Sequence, residues 1–383
     1  MWLVGPLANI CLHASPSAVK YIYFSGFVLS AVASWLLRDY GQYVVSHAGS
    51  LAKCLHSGTQ AVCIGKGAIL RVSFGNFLFF GAHALALAGV HQADNPRLLL
   101  HTGLWPVQLC AWALLAGSSF AMPNAVLLGY RQLARVLAGA FLVLQVVLLL
   151  DCVYATSKWL TDHPGPWRIV ALVAGTVLLY VGALAVIGML FHFYAPAPSC
   201  RLNIFFIGWT LILGICYTFL SITPCRAPNA GLLTAGTVFA YSTMLLWGAL
   251  SSEPVDGTCV LHSGTGSNGL KIAGFFAALA SVLVSTVNSS SESGSFSVSA
   301  VPHDAGELPY RPDFFHTVFM LASAYLAMLF TAWSLDGVQE GTYTLDADNW
   351  VSPWVKMASQ WLCAALYVWS LVAHLVLRGR SFA

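Results

Sequence analysis

The sequence predicts an all-α, polytopic integral membrane protein with ten transmembrane helices, and three observations carry that prediction. First, charge is scarce: of 383 residues 58% are apolar and only 8% charged, where a soluble domain carries about 25%. So few ionisable groups cannot cover a chain of this length with a hydrated surface, and most of its outside must meet lipid. Second, the mean hydropathy of +0.75 is concentrated in uncharged runs of about 20 residues, the length a helix needs to cross a hydrocarbon core about 30 Å thick. Third, short Pro, Gly and Asn clusters separate the runs, while the roughly ten-residue alternation of a β-barrel is absent.

Taken in order, the runs lie near Ala18–Leu37, Ile69–Val90, His101–Ala121, Gly129–Val153, Trp167–His192, Leu202–Ile222, Gly231–Ser251, Leu270–Val287, Phe314–Leu335 and Pro353–Leu377. Met1–Pro16 has no basic n-region, so the first run reads as an uncleaved signal anchor rather than a removed leader. Asp94-Asn95-Pro96 closes the second run, Met122-Pro123-Asn124 the third, His163-Pro164-Gly165-Pro166 the fourth, Pro196-Ala197-Pro198 the fifth and Ala227-Pro228-Asn229 the sixth. The fourth run can stay helical to about Ser157, and its Arg131 and Asp151 stand about 30 Å apart along a helix axis, far enough to bracket the hydrocarbon. Such a helix tilts or projects beyond the headgroups; a tilted fourth helix between two bundles is one way to organise ten spans.

Residues 1–383 are thus expected to form a single ten-helix membrane domain. Within it, residues 288–311 form a disordered loop, because seven Ser between Ser289 and Ser299, followed by acidic residues and Pro, bury too little apolar surface to order the chain. The loop is either a tether or, if cytosolic, a phosphorylation target.

Several function classes fall away. A net charge of +3 without a dense basic run gives no footprint for nucleic acid. Ten Cys without a CxxC pair argue against a zinc module or a disulfide-dense scaffold. Gly264-Thr265-Gly266-Ser267-Asn268-Gly269 fits GxGxxG, but it follows a polar loop rather than a strand, so the dinucleotide reading fails. There is no GxxxxGK[ST], HExxH or GxSxG. Neither a cofactor, a metal nor an enzymatic activity is expected, and transport would be passive or ion-driven.

The intramembrane polar residues are better material, since a charge in hydrocarbon is costly and tends to mark a pathway or a pair. Asp151 is either a pathway group or a helix-end carboxylate reaching interfacial water. Gln145, six residues earlier, lies within the same apolar run. Asn76 and His83, in the second run, are either ligands or hydrogen-bond partners between helices. Arg71 and Arg131 read as residues that snorkel to the interface. Lys356, between Trp354 and Trp361 with Gln360 one turn on, reads as an interfacial anchor in an aromatic belt, as does Trp354. Gly175, Gly182, Gly188, Ala134 and Ala138 permit close helix packing. Orientation stays open, because eight Lys and Arg fall on the side of the termini and nine on the other.

Whole segments resemble the serine incorporator family: Gly67-Ala-Ile-Leu-Arg-Val-Ser-Phe74; Asp94-Asn-Pro-Arg97 with His101 and Gly103-Leu-Trp105; Gln145-Val-Val-Leu-Leu-Leu-Asp151; Gly231-Leu-Leu233 with Trp247 and Glu253-Pro254; Tyr310-Arg-Pro-Asp-Phe-Phe-His316 with Leu321-Ala-Ser323; and Trp354-Val-Lys356 leading to Leu366–Ala373 and Arg380-Ser-Phe382. The pieces stand in the family's order from the first run to the C-terminus. The extreme N-terminus departs most, and the Ser-rich loop is shorter than in animal members.

The resemblance implies ten helices in two bundles crossed by a long diagonal fourth helix, both termini cytosolic, and a cytosolic Ser-rich loop in which the Asn288-Ser289-Ser290 sequon stays unmodified. Cys54, Cys63, Cys200 and Cys259 then fall on lumenal or external loops where a disulfide can form, and Cys54 with Cys63 is one pairing open to it. It further implies residence in the endoplasmic reticulum, Golgi or plasma membrane, and ATP-independent phospholipid scrambling linked to serine-derived lipids, phosphatidylserine and sphingolipid. In that reading Asp151, Gln145, Asn76 and His83 are the candidate lipid-pathway residues and membrane phospholipids are the partners. The alternatives are a scaffold that brings serine to lipid-synthesis enzymes, or a serine carrier, which the lack of paired Gly/Pro-broken half-helices disfavours. A homo-oligomer is compatible with all three.

Overall fold

The computed structural model describes residues 16–44, 60–162, 165–223, 231–253, 259, 279–280, 308, 310–331 and 350–376. Nine long helices make up the described residues: α1 (Pro16–Val44), α2 (Gln60–Ala86), α3 (Trp105–Ala121), α4 (Asn124–Asp162), α5 (Pro166–Tyr194), α6 (Arg201–Ile222), α7 (Leu232–Leu250), α8 (Pro312–Phe330) and α9 (Val351–Val376). Eight of them are long and apolar enough to cross a membrane; α3, at 17 residues, falls just short. No strand occurs among the described residues, and the protein is an all-α, multipass membrane protein.

Several helix ends have a local reason. Pro166 and Pro312 occupy the first turns of α5 and α8, where a missing N–H costs nothing and a fixed φ favours the helix. Asp313 adds a carboxylate to the first turn of α8, favoured by the helix dipole. Thr223, the C-cap of α6, is extended, as the residue before a proline prefers to be.

Nine of the ten expected spans are helices; the run at 270–287 lies outside the described residues apart from 279–280, as do residues 288–307, which hold most of the Ser-rich loop, and the GxGxxG segment. Boundaries shift in three places. Helix α2 starts at Gln60 and ends at Ala86, so it takes in Lys66 ahead of the expected start at Ile69; a search for uncharged runs stops at such a residue, but one cation in the first turns does not interrupt a helix. His101 belongs to a separate helical turn, Leu99–Thr102, and α3 starts only after Leu104, which is left-handed at φ 57°. Helix α4 runs 39 residues, further at both ends than expected.

The chain forms two compact units. Unit 1 comprises residues 1–141 and 281–346, and unit 2 residues 142–280 and 347–383, so α4 contributes its first part to one and its second part to the other. In unit 1, α2 is central, packed against α8, α1 and α3. A Cβ built on Gly75 would lie 2.6 Å from the Ala116 Cα, which shows how closely the backbones of α2 and α3 approach, the close fit that drives association where lipid removes any hydrophobic incentive. Phe27, Phe80, Phe315 and Phe319 fill the core with ring centroids 4.7 to 6.2 Å apart. Ser73 ties three helices, donating to the Ser323 carbonyl at 2.8 Å and meeting the Tyr130 hydroxyl at 2.7 Å.

In unit 2, α7 is central and mostly buried, packed against α5, α6 and α9, while few residues of α5 are fully buried. Gly214 of α6 admits the ring of Phe239, and Gly236 of α7 admits Tyr180, whose ring would stand 3.0 Å from an added Cβ. Of the cysteines expected on the non-cytosolic side, Cys200 and Cys259 form a disulfide with a Cα–Cα distance of 5.5 Å. Cys54, and with it the pairing left open between Cys54 and Cys63, lies outside the described residues.

Candidate functional site

Two polar clusters stand out, one in each unit, both built on helices that are otherwise apolar. In unit 1 the cluster gathers where the turn Leu99–Thr102 and the starts of α3 and α8 meet α1 and α2. His101 Nδ1 faces His316 Nε2 at 3.0 Å, and His101 Nε2 faces the Tyr310 hydroxyl at 2.8 Å. The Tyr23 ring stacks on His101 at 5.6 Å and meets His316 edge-on at 4.8 Å. The Tyr23 hydroxyl donates to Gln108 Oε1 at 2.6 Å, and the Gln108 amide donates to the carbonyls of Leu100 and Gly103, so the left-handed bend at Leu104 is held from both sides. Tyr310, just outside α8, has its hydroxyl pushed up to about 12 by burial; it stays protonated and able to donate to His101. Next to it Arg311 pairs with Asp313 at 2.7 Å. Among the described residues no group of three His, Cys, Asp or Glu could hold a metal, and the two facing imidazoles are spent on each other.

Of the sequence-derived candidates in unit 1, His83 is nearest to this cluster, its ring 4.9 Å from that of His316, with Nδ1 on the Phe79 carbonyl at 2.9 Å. Asn76 stands apart, buried and bonded to Ser30 of α1 and Trp112 of α3. Arg71 is only 2% exposed, and its guanidinium turns inward to the Gly67 carbonyl and Asn124 Oδ1, each at 3.0 Å, where an interfacial position was expected. Arg131 is half-buried on α4.

In unit 2 the polar side chains align on one face of α9. Lys356, Gln360, Cys363, Tyr367 and Ser370 recur at spacings of four and three, the period of a single helix face. Lys356, expected as an interfacial anchor, is 8% exposed and donates to the Gly248 carbonyl and the Ser252 hydroxyl. Gln360 donates to Thr210 Oγ1 at 2.8 Å and to the Ser242 carbonyl at 2.9 Å. The Tyr367 hydroxyl meets Ser221 at 3.2 Å and Thr234 at 3.4 Å. Ser370 lies 3.3 Å from the Tyr154 hydroxyl of α4, and Asp151 stands one turn before Tyr154. At the other end Asn203 donates to Glu253 and to the Tyr194 carbonyl, each at 2.8 Å. Gln145 is buried in unit 2, whereas Trp354 is 45% exposed with its ring against Phe206 and Trp361.

Asp151 thus shares a cluster with Tyr154 and Ser370, whereas Asn76 and Gln145 are buried elsewhere. Sequence reasoning missed His101, His316, Tyr310, Gln108, Thr210, Ser242 and Tyr217. For α9 a signal was available, because polar residues at 356, 360, 367 and 370 keep helical period in an apolar run. For the histidines there was none, since His101 and His316 are 215 residues apart.

Compared with known proteins, the chain matches the family model described as serine incorporator over residues 5–305 and 298–380. It is 28% identical to cattle serine incorporator 3 over 82% of this chain and 80% of that protein. It is 25% identical to a probable serine incorporator of Monosiga brevicollis over 98% and 94% of the two chains, and 28% identical to one of Nematostella vectensis over 97% and 92%.

Proposed function

The chain belongs to the serine incorporator family, and from that premise we propose that it lets phospholipids exchange between leaflets without ATP, a movement that serves serine-derived lipids such as phosphatidylserine and sphingolipid. The difficulty of unaided exchange is that the headgroup must shed its water in hydrocarbon. A polar seam open to the bilayer lets the head cross while the tails stay in lipid. One observation carries this reading: on a helix long enough to cross a membrane, Asp151 and Tyr154 are only half-buried, and so is the Ser370 that meets Tyr154 from α9. Residues at i and i+3 share a helix face, so the three polar side chains gather at one place, with Asp151 Oδ2 itself buried, in a span that is mostly apolar. An intramembrane carboxylate in such a place is expensive and is retained for a pathway or a pair.

The experiment is reconstitution of the purified protein into vesicles carrying a fluorescent phospholipid, with dithionite added outside. Quenching that runs well past the plateau of empty vesicles, in the absence of nucleotide, is the expected result. Quenching that stops at that plateau with correctly folded protein would remove the proposal. Activity that appeared only with co-expressed lipid-synthesis enzymes would point to the scaffold.

A further inference from the structure

We propose that the junction of α4 and α5 is a docking site for anionic phospholipid at the level of the headgroups, built from Trp159, Trp167 and Arg168 with Lys158 beside them. Arg71 and Lys356 point inward and leave the interface to other cations. Arg168 stands over the Trp159 ring at 4.5 Å and over the Trp167 ring at 5.3 Å, and it donates to the Trp159 carbonyl at 3.2 Å. The two indoles meet edge-on with centroids 5.6 Å apart. Capping the last carbonyls of α4 accounts for the hydrogen bond. It does not account for the rings, which are 52% and 58% exposed, Trp167 being the most exposed tryptophan among the described residues.

Depth decides what covers them. Helix α4 ends at Asp162 and α5 starts at Pro166, and both are long and apolar enough to cross a membrane. The exposed apolar face of α5 begins at once: Ile169, Val170 and Val173 are each more than half exposed, a surface suited to lipid tails. Trp167 and Arg168 therefore stand where tails give way to headgroups, the level at which amphipathic indoles are enriched. At 39 residues α4 is about 58 Å long, well beyond a hydrocarbon core of about 30 Å. Such a helix tilts or carries an end out into water, and anchors of this kind set which.

Charge selects the lipid. Lys158 is exposed next to Trp159, and with Arg168 it gives two cations against one acid at this junction, Asp162. Anionic headgroups complement that balance, and one net positive charge at the membrane surface enriches them about fivefold.

Tryptophan quenching by brominated phospholipid tests this on the full-length protein in lipid nanodiscs. Subtracting the emission of the Trp159→Phe/Trp167→Phe variant from that of wild type isolates the two indoles. Lipid brominated near the headgroup should quench them more than lipid brominated deep in the chains. Trp209, an exposed ring halfway along α6 isolated in the same way by Trp209→Phe, is the deep reference. Brominated phosphatidylglycerol should quench the pair at about a fifth of the mole fraction that brominated phosphatidylcholine needs. Lys158→Gln, which leaves the Arg168 cap in place, should bring the two lipids to parity. Quenching by neither lipid would mean that the junction stands in water or under protein. Stronger quenching by the deep bromines would put it among the tails, and equal quenching by the two headgroups in wild type would leave aromatic rings without a docking site. Each of these three results overturns the proposal, as does a preference for phosphatidylglycerol that is unchanged in Lys158→Gln. None of the readouts depends on lipid exchange.

Discussion

Trp112 of α3 donates its indole N–H to Asn76 Oδ1 of α2 at 2.7 Å. The same Asn76 donates its amide to Ser30 Oγ of α1 at 2.8 Å, so one side chain, 4% exposed, joins three helices of unit 1. A polar bond between apolar helices fixes their rotation about their own axes, which greasy packing alone leaves loose.

Trp112→Phe keeps an aromatic ring but strands the Asn76 carbonyl oxygen. It should cost about 1–3 kcal/mol, the price of an unsatisfied buried acceptor. Asn76→Ala should cost as much or more, because it strands the Trp112 indole N–H and also removes the donor to Ser30 Oγ. Thermal unfolding in detergent, followed by intrinsic fluorescence for Asn76→Ala and by circular dichroism for both, checks the order; equal midpoints to wild type would refute it.

Gly75→Ala tests the close approach of α2 and α3. In an exposed helix this change gains up to about 1 kcal/mol from propensity. Here the new methyl would stand 2.6 Å from a backbone atom, Ala116 Cα, and backbone cannot rotate away. The expected net effect is destabilising by about 1–3 kcal/mol. Gly182→Ala, which meets nothing within 4 Å, is the control and should be neutral or slightly stabilising.

The Cys200–Cys259 bond closes a loop across a separation of 59 residues. By chain entropy alone that contributes about 4 kcal/mol against an unfolded reference. Cys200→Ser should lower the thermal midpoint, and a reductant should lower wild type to match it while leaving the variant unchanged. Because such bonds persist on the oxidising side of a membrane, an impermeant reductant should open it only from the non-cytosolic face.

Asp151→Leu removes the charge from the half-buried face shared with Tyr154 and Ser370. If one polar contact to a passing headgroup is worth ~1 kcal/mol, leaflet exchange should slow about fivefold. Asp151→Asn, which keeps a hydrogen-bonding tip, should retain more of the rate. Identical rates for all three proteins at equal reconstitution would leave Asp151 a structural residue.

The sequence by itself determined the class and most of the helices, since bilayer thickness converts directly into uncharged runs of a set length and Pro, Gly and Asn mark their ends. That is why nine of the ten expected runs are helices among the described residues, while their ends moved, as where α2 begins ahead of Lys66 and α4 extends both ways. What it could not fix is which polar side chains face each other. Arg71 and Lys356 read as interfacial residues because a cation far from its partners in sequence shows no partner; Asn124 and Gly248 stand 53 and 108 positions away. His101 and His316, or Gln360 and Thr210, meet only after the helices have packed. Hydropathy is a property of one residue and its neighbours along the chain, whereas a buried hydrogen bond belongs to two residues whose separation is set by the fold.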